Sequence, residues 1–166
     1  MTTTARLLLF AALLGLSACS LMPLRMETGT PRAEIERRLG APTAVIALAD
    51  GQRLQYSRQP SGQEVYNLDL GPDGRLRRVE QVMDASWLQQ NIAVDRWTRD
   101  DALRHLGRPA LVERVMSFEG DVWTYRYLEA TRPRQVHLHI DRAGVVRKLA
   151  FTDEPGYADD PGATHP

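Results

Sequence analysis

The only cysteine in this 166-residue chain, Cys19, is the residue best placed for covalent chemistry. It closes the run Leu16-Ser17-Ala18-Cys19, which follows an apolar stretch from Leu7 to Leu16 and one cation, Arg6. That stretch is half of the roughly 20 residues a membrane-spanning helix needs. A charged start, an apolar middle and small residues before a cut are the order of a secretory signal. Two other uses of the thiol fit less well. A buried core residue would not sit beside a cleavable segment, and a catalytic thiolate needs a base, whereas His105, His137, His139 and His165 all lie far along the chain.

A second group with chemical reach is His137, His139 and Asp141, which alternate along one segment and so share one face of a strand, a spacing that a metal site can use. Asn67, Asp69 and Gly71 stand at the matching places earlier in the chain, and no fourth ligand is evident, so the wet face of a half-buried strand is the preferred reading and no metal site is assigned. The chain has no Gly-x-Ser-x-Gly, no His-Glu-x-x-His, no phosphate loop and no dinucleotide fingerprint. Asp50, Asp69 and Asp121 fall at turns or strand faces, where carboxylates are ordinary. We therefore expect no catalytic residue and no cofactor. Trp123, Tyr125 and Tyr127 alternate as a sugar or peptide platform would, but Leu54 and Tyr56 match them earlier, which favours core packing. Trp87 and Trp97 have no such counterpart and are the candidate partner-binding residues, with packing between the two halves of the chain as the competing use. Arg75, Arg77 and Arg78 are placed either to meet anionic lipid or simply to be solvated.

Composition bounds the partners. The 43% hydrophobic and 25% charged residues are those of an ordinary globular protein. Lys plus Arg and Asp plus Glu balance at 21 each, which lacks the basic excess of a nucleic-acid binder. Without residues 1–18, roughly 148 remain, enough for one domain or two very small ones sharing a core. A lone cysteine spent on export chemistry leaves no internal disulfide, so packing must hold the fold.

The elements that position these residues follow in order. Residues 19–28 read as a tether. Thr30 as N-cap, Pro31 at the first position and Ala33, Ile35 and Leu39 as an apolar stripe predict a helix ending at Gly40, with Glu34 and Arg38 as an i,i+4 pair. Thr43 to Leu48 is an apolar run, in part a strand; Asp50-Gly51 is a turn; Arg53 to Arg58 is a strand. Glu64 to Leu70 alternates, with Tyr66, Leu68 and Leu70 opposite Val65, Asn67 and Asp69. After the turn Pro72-Asp73-Gly74, Arg75 to Met83 returns with Leu76 out of phase. Asp84 to Gln90 is a short helix capped by Asp84 or Ser86, and a second helix starts at Thr98, with Ala102, Leu103 and Leu106 facing a sheet. The chain from Thr152 to Pro166, rich in Asp, Pro and Gly, reads as a disordered acidic tail.

The same order recurs about 70 residues later. Leu39-Gly40-Ala41-Pro42 is echoed by Leu106-Gly107-Arg108-Pro109, Asp50 to Tyr56 by Glu119 to Tyr125, Leu68-Asp69-Leu70 by Leu138-His139-Ile140, and Gly74 by Gly144. The expected fold is α+β: two tandem repeats, residues 29–83 and 84–151, each with one or two short helices on a three-stranded antiparallel sheet.

Two resemblances rest on these residues. Leu16-Ser17-Ala18-Cys19 resembles the lipobox of bacterial lipoproteins, which implies cleavage before Cys19 and acylation of its thiol. Ser20 stands where an aspartate would resemble an inner-membrane retention signal, so the implied location is the outer membrane of a Gram-negative bacterium, facing the periplasm. The segment Gly29 to Ile35, continued through Leu39-Gly40-Ala41-Pro42, an aromatic strand and a Gly-turned hairpin, resembles the BamE/SmpA/OmlA domain of small outer-membrane lipoproteins. The two-helix, three-strand unit is also similar to the repeats of the β-lactamase inhibitory protein. The usual Gly-Met-Thr of the former family is replaced by Gly29-Thr30-Pro31 and Arg96-Trp97-Thr98. The resemblance implies a non-enzymatic protein-binding scaffold or accessory to outer-membrane assembly or integrity. Its partners would be membrane lipid, through acylated Cys19, and envelope proteins, the barrel-assembly machinery among them. An inhibitor of a periplasmic enzyme is the alternative, and a cell-wall-active hydrolase a more distant one. Joined edge to edge, two such units would present one longer sheet face to a partner.

Overall fold

In the computed structural model, residues 25–156 are described. The elements are α1 (Arg32–Leu39), β1 (Ala44–Leu48), β2 (Gly51–Ser57), β3 (Val65–Leu70), β4 (Leu76–Gln81), α2 (Ala85–Asn91), α3 (Arg99–Leu106), β5 (Leu111–Glu113), β6 (Gly120–Glu129), β7 (Arg132–Asp141) and β8 (Val146–Asp153). The strands form two separate four-stranded antiparallel sheets, β1-β2-β3-β4 and β5-β6-β7-β8. Neighbours in each sheet are neighbours in sequence, so every pairing is local and closes a short loop at small entropic cost.

This corrects the expected fold. The units are not repeats of one or two helices on three strands. The run after each Leu-Gly-x-Pro pairs as a fourth, edge strand: Val45 lies opposite Leu54, and Val112 opposite Trp123. In the first half the pairing follows from a two-residue turn, Ala49-Asp50, which leaves the β-branched run beside β2. Nor do the halves join into one longer sheet. Strand is the dominant element, and the three helices are seven or eight residues long.

Layering explains why β3 is buried on both faces. Ile35 of α1 covers one face of the first sheet, packing with Leu54, Tyr66, Leu68, Leu70 and Leu76. Val65, on the opposite face, joins Val82, Met83, Leu88, Ala102 and Leu106 in a second core with Trp123, Tyr125, Tyr127, Val136, Leu138 and Ile140 of the second sheet. The order through the molecule is α1, first sheet, α2 with α3, second sheet. Each fully buried apolar side chain in these cores contributes about 1.5–3 kcal/mol. The alternation of Trp123, Tyr125 and Tyr127 is therefore core, each being at least nine-tenths buried.

Local chemistry sets the element ends. Asp84 caps α2 by accepting from the Trp87 amide at 3.0 Å. Thr98 and Asp101 form a reciprocal capping box on α3, with bonds of 3.2 and 2.8 Å. At α1 the expected cap differs: Pro31 takes the cap position, and the Thr30 hydroxyl donates to the Glu27 carbonyl at 2.6 Å. Pro31 is held extended by bridging Arg75, as Thr98 bridges Val145. Leu76 reads out of phase because a bulge after Asp69 shifts the register, pairing Leu70 with Leu76 and turning Leu76 inward. Ala33, expected in the buried stripe, is exposed. Met26, expected in the tether, packs on the first core. Thr152 and Asp153, read as the start of the tail, belong to β8, opposite Gln135 and Arg134.

Candidate functional site, a cleft where the two halves meet

The polar face of β2 and β3 looks ordinary in sequence, but it is a buried interface. Arg53 is clamped to Asp69 by bonds of 2.6 and 2.9 Å, and its Nη1 lies 3.3 Å from His105 Nδ1 and 3.4 Å from the Arg104 carbonyl. Asn67 donates to the His105 carbonyl at 2.8 Å and accepts from Gln55 Nε2 at 3.1 Å. The last carbonyls of a helix have no partner within it. Here side chains from two strands satisfy them, and the Arg53 cation sits at the negative end of α3. Arginine can only donate, so His105 Nδ1 accepts and Nε2 carries the proton. Burial, then the nearby Arg53 cation, pushes the His105 imidazole below its ordinary pKa. Gly107 ends α3 at φ +75°, and a Cβ there would stand 2.9 Å from Gln55 Oε1, so glycine permits both the turn and the close approach.

Trp87 and Trp97 come together at this junction. Their ring centroids are 6.3 Å apart at 68°, and Trp97 stacks on His105 at 5.0 Å and 27°. Both rings are half-buried against the second core. Trp87 Nε1 is buried without a hydrogen-bond partner among the described residues.

Beside this junction opens a cleft of about 700 Å³. Its walls are Thr43 just before β1, Ala44 and Ile46 from β1, Gln55 and Ser57 from β2, Asp100, Leu103 and Arg104 from α3, and Arg108 after it. Leu103 was expected to pack on the sheet; it is instead 37% exposed and lines the cleft, because Ala102 and Leu106 already fill the buried stripe of a two-turn helix. Arg104 donates to the Ala47 carbonyl at 3.1 Å. The two hydroxyls of the cleft each bond to backbone. That of Thr43 donates to the Gln55 carbonyl at 2.8 Å and accepts from the Ser57 amide at 3.0 Å, and that of Ser57 accepts from the Gln59 amide at 3.2 Å. A separate exposed apolar patch comprises Leu111, Val112, Val115 and Met116 on β5 and the loop after it.

The other residues singled out from sequence are engaged elsewhere. His137 bonds Thr124 through Nδ1 at 2.8 Å and Thr152 through Nε2 at 2.9 Å, and burial lowers its pKa. His139 meets the Phe118 ring edge at 5.1 Å. Asp141 takes Arg147 at 2.7 Å and the Val145 amide at 2.9 Å. These three face different partners and do not converge. Arg75 donates to the Gly29 carbonyl, Arg77 pairs with Asp50 and Arg78 with Glu80. Cys19 lies outside the described residues. Among those described, no helix is long and apolar enough to cross a membrane.

Sequence reasoning missed Arg53, Gln55, Asn67 and Arg108. The one signal available was Val65, an apolar residue in phase with Asn67 and Asp69, which marks that face as covered. No protein-family model matches the sequence, and no curated protein matches it. In fold comparison the chain is similar, at a TM-score of 0.32 and 13% identity, to the crystal structure of a DUF4309 family protein (YjgB) from Bacillus subtilis, over 75% of this chain and 78% of that one. A likeness of that degree carries no argument about fold or function.

Proposed function

We propose that this is a lipid-anchored, non-enzymatic envelope protein that binds another protein at the junction cleft. The observation that carries the reading is the state of the cleft's polar groups. Both hydroxyls are held in hydrogen bonds to backbone, and what lines the rest of the cleft is a sheet edge, apolar side chains, the Gln55 and Gln59 amides, guanidinium groups and the Asp100 carboxylate, with no nucleophile paired to a base. Catalysis needs a nucleophile within hydrogen-bond reach of a base. Recognition needs only matching shape, edge hydrogen bonds and charge. The anchor is Cys19, whose Leu16-Ser17-Ala18-Cys19 setting supports acylation. Each buried lipid methylene contributes about 0.8 kcal/mol, so two or three chains hold the protein at a membrane without a spanning helix. Outer-membrane placement facing the periplasm, and a role in outer-membrane assembly or integrity, belong to the same proposal.

The test is expression of the full chain in a Gram-negative host, with fractionation and crosslinking in the intact envelope. Wild type should sediment with outer membrane and incorporate labelled palmitate, and Cys19→Ser should do neither. Equal membrane recovery of the Ser variant would remove the anchor. Co-purification of barrel-assembly components would support the accessory role, and recovery of a wall enzyme alone would move the reading to the inhibitor class.

A further inference from the structure

The junction cleft is bounded by an unpaired sheet edge. β1 is the terminal strand of its sheet, so one flank has no strand beside it among the described residues. The Ala47 carbonyl is turned to that flank, where Arg104 reaches it at 3.1 Å. Backbone groups alternate sides along an antiparallel strand. Val45, two residues before Ala47, therefore presents its N–H and carbonyl to the same flank, and its side chain is 50% exposed. Ala44 and Ile46 turn into the cleft, opposite Leu103. Charge is laid out along the other wall. Asp100 stands near the start of α3, Arg104 one turn on, and Arg108 just past the helix end. Arg108 is exposed and makes no ion pair or hydrogen bond among the described residues, whereas Arg104 is already held on the Ala47 carbonyl.

We propose that the cleft takes an extended peptide segment of a partner protein, which adds to β1 as a fifth strand and sets a carboxylate against Arg108. The inference rests on the protein-binding reading above and names its occupant. Pairing with the Val45 backbone supplies affinity that does not depend on sequence, while alternate side chains of the segment fall between Ala44, Ile46 and Leu103 and favour small apolar residues. Arg108, without a partner among the described residues, selects an acidic residue, and Asp100 disfavours a second one at the opposite end. One helical turn is about 5.4 Å and one extended residue about 3.3 Å. From Asp100 to Arg104 thus spans about two residues of the segment, and the acid lies a few residues from the site where acid is rejected.

The experiment is selection of displayed random octapeptides on the chain from residue 20 to 166, followed by fluorescence anisotropy with the enriched peptides. Enriched sequences should alternate apolar residues and share one Asp or Glu toward one end. Val45→Pro removes an edge N–H where proline is tolerated and should weaken binding at least tenfold. Leu103→Arg, which fills the cleft from an exposed position, should do the same, and so serves if the proline variant fails to fold. Arg108→Glu should reverse the preference, so that a peptide with Lys in place of its acid binds better. No enrichment, enrichment of acid-free or helix-patterned peptides, or unchanged binding by Leu103→Arg would overturn the proposal. A dimer in sedimentation that Leu103→Arg dissolves would also overturn it, by making a second copy the occupant. Photocrosslinkers at Leu103 and Val112, used in the intact envelope, separate the two levels. Capture from Val112 alone refutes the cleft and leaves protein binding standing, whereas capture from neither refutes both.

Discussion

Asn67→Leu tests the claim that a buried polar row holds the two halves together. Asn67 is 1% exposed and bonds both the His105 carbonyl, at 2.8 Å, and Gln55 Nε2, at 3.1 Å. Leucine is close in size, so the variant removes hydrogen bonds rather than volume. A buried group left unpaired costs about 1–3 kcal/mol. Two are created here, the His105 carbonyl and the Gln55 amide. Gln55 Nε2 already lies 3.4 Å from the Arg104 and His105 carbonyls, so it offsets part of the loss. The net expectation is about 2–4 kcal/mol of destabilisation. For a domain of this size that is a fall of roughly 10 °C in Tm. Urea unfolding and thermal circular dichroism of the chain from residue 20 read both quantities, with Gln89→Leu on the exposed face of α2 as the control expected within about 0.5 kcal/mol. A loss below about 1 kcal/mol for Asn67→Leu would refute the argument, because the capped carbonyl of α3 would then be satisfied without it.

The remaining expectations concern pH, turns and paired tyrosines. His105, His137 and His139 all have pKa values lowered, each first by burial. The unfolded chain therefore binds more protons than the folded one between the depressed values and the ordinary 6.5. Stability is complete above about pH 6.5 and is lost as pH falls through the folded values. His105→Gln should flatten the acid side of a Tm against pH profile, and an unchanged slope would assign the effect to the other two. Gly51→Ala should cost about 3 kcal/mol by chemical denaturation, since φ is +121° and the new Cβ would stand 1.9 Å from the Leu70 carbonyl oxygen. Tyr125→Phe removes a fully buried bond to the Gly107 carbonyl at 2.9 Å and should cost about 1–2 kcal/mol. Tyr56→Phe, whose bond to the Gly40 carbonyl at 3.0 Å is exposed, should cost less than half as much, so equal losses would contradict the burial argument.

Much of the local structure was legible in the chain. Asp84 and Thr98 announce their helix starts because capping is chemistry between residues three apart. Gly74 and Gly144, with positive φ, mark the hairpin turns, and Trp123, Tyr125 and Tyr127 marked a core face because alternation is a property of a single strand. The strand count and the layering were not legible. Whether Ala44–Leu48 and Leu111–Glu113 pair or remain loop depends on a neighbouring strand being in register, which no local pattern states. The same limit hid the cleft. Arg53, Gln55 and Asn67 look like a solvated face until α3 packs on them, when helix carbonyls with no partner of their own make those side chains structural. Sequence by itself determined the caps of the second and third helices, the turns and the alternation, because each is written within a few consecutive residues. Only tertiary structure decided which polar face is buried, that Leu103 is left outside the core, and that Arg108 has no partner among the described residues beside the β1 edge, because those depend on what lies across the interface rather than along the chain.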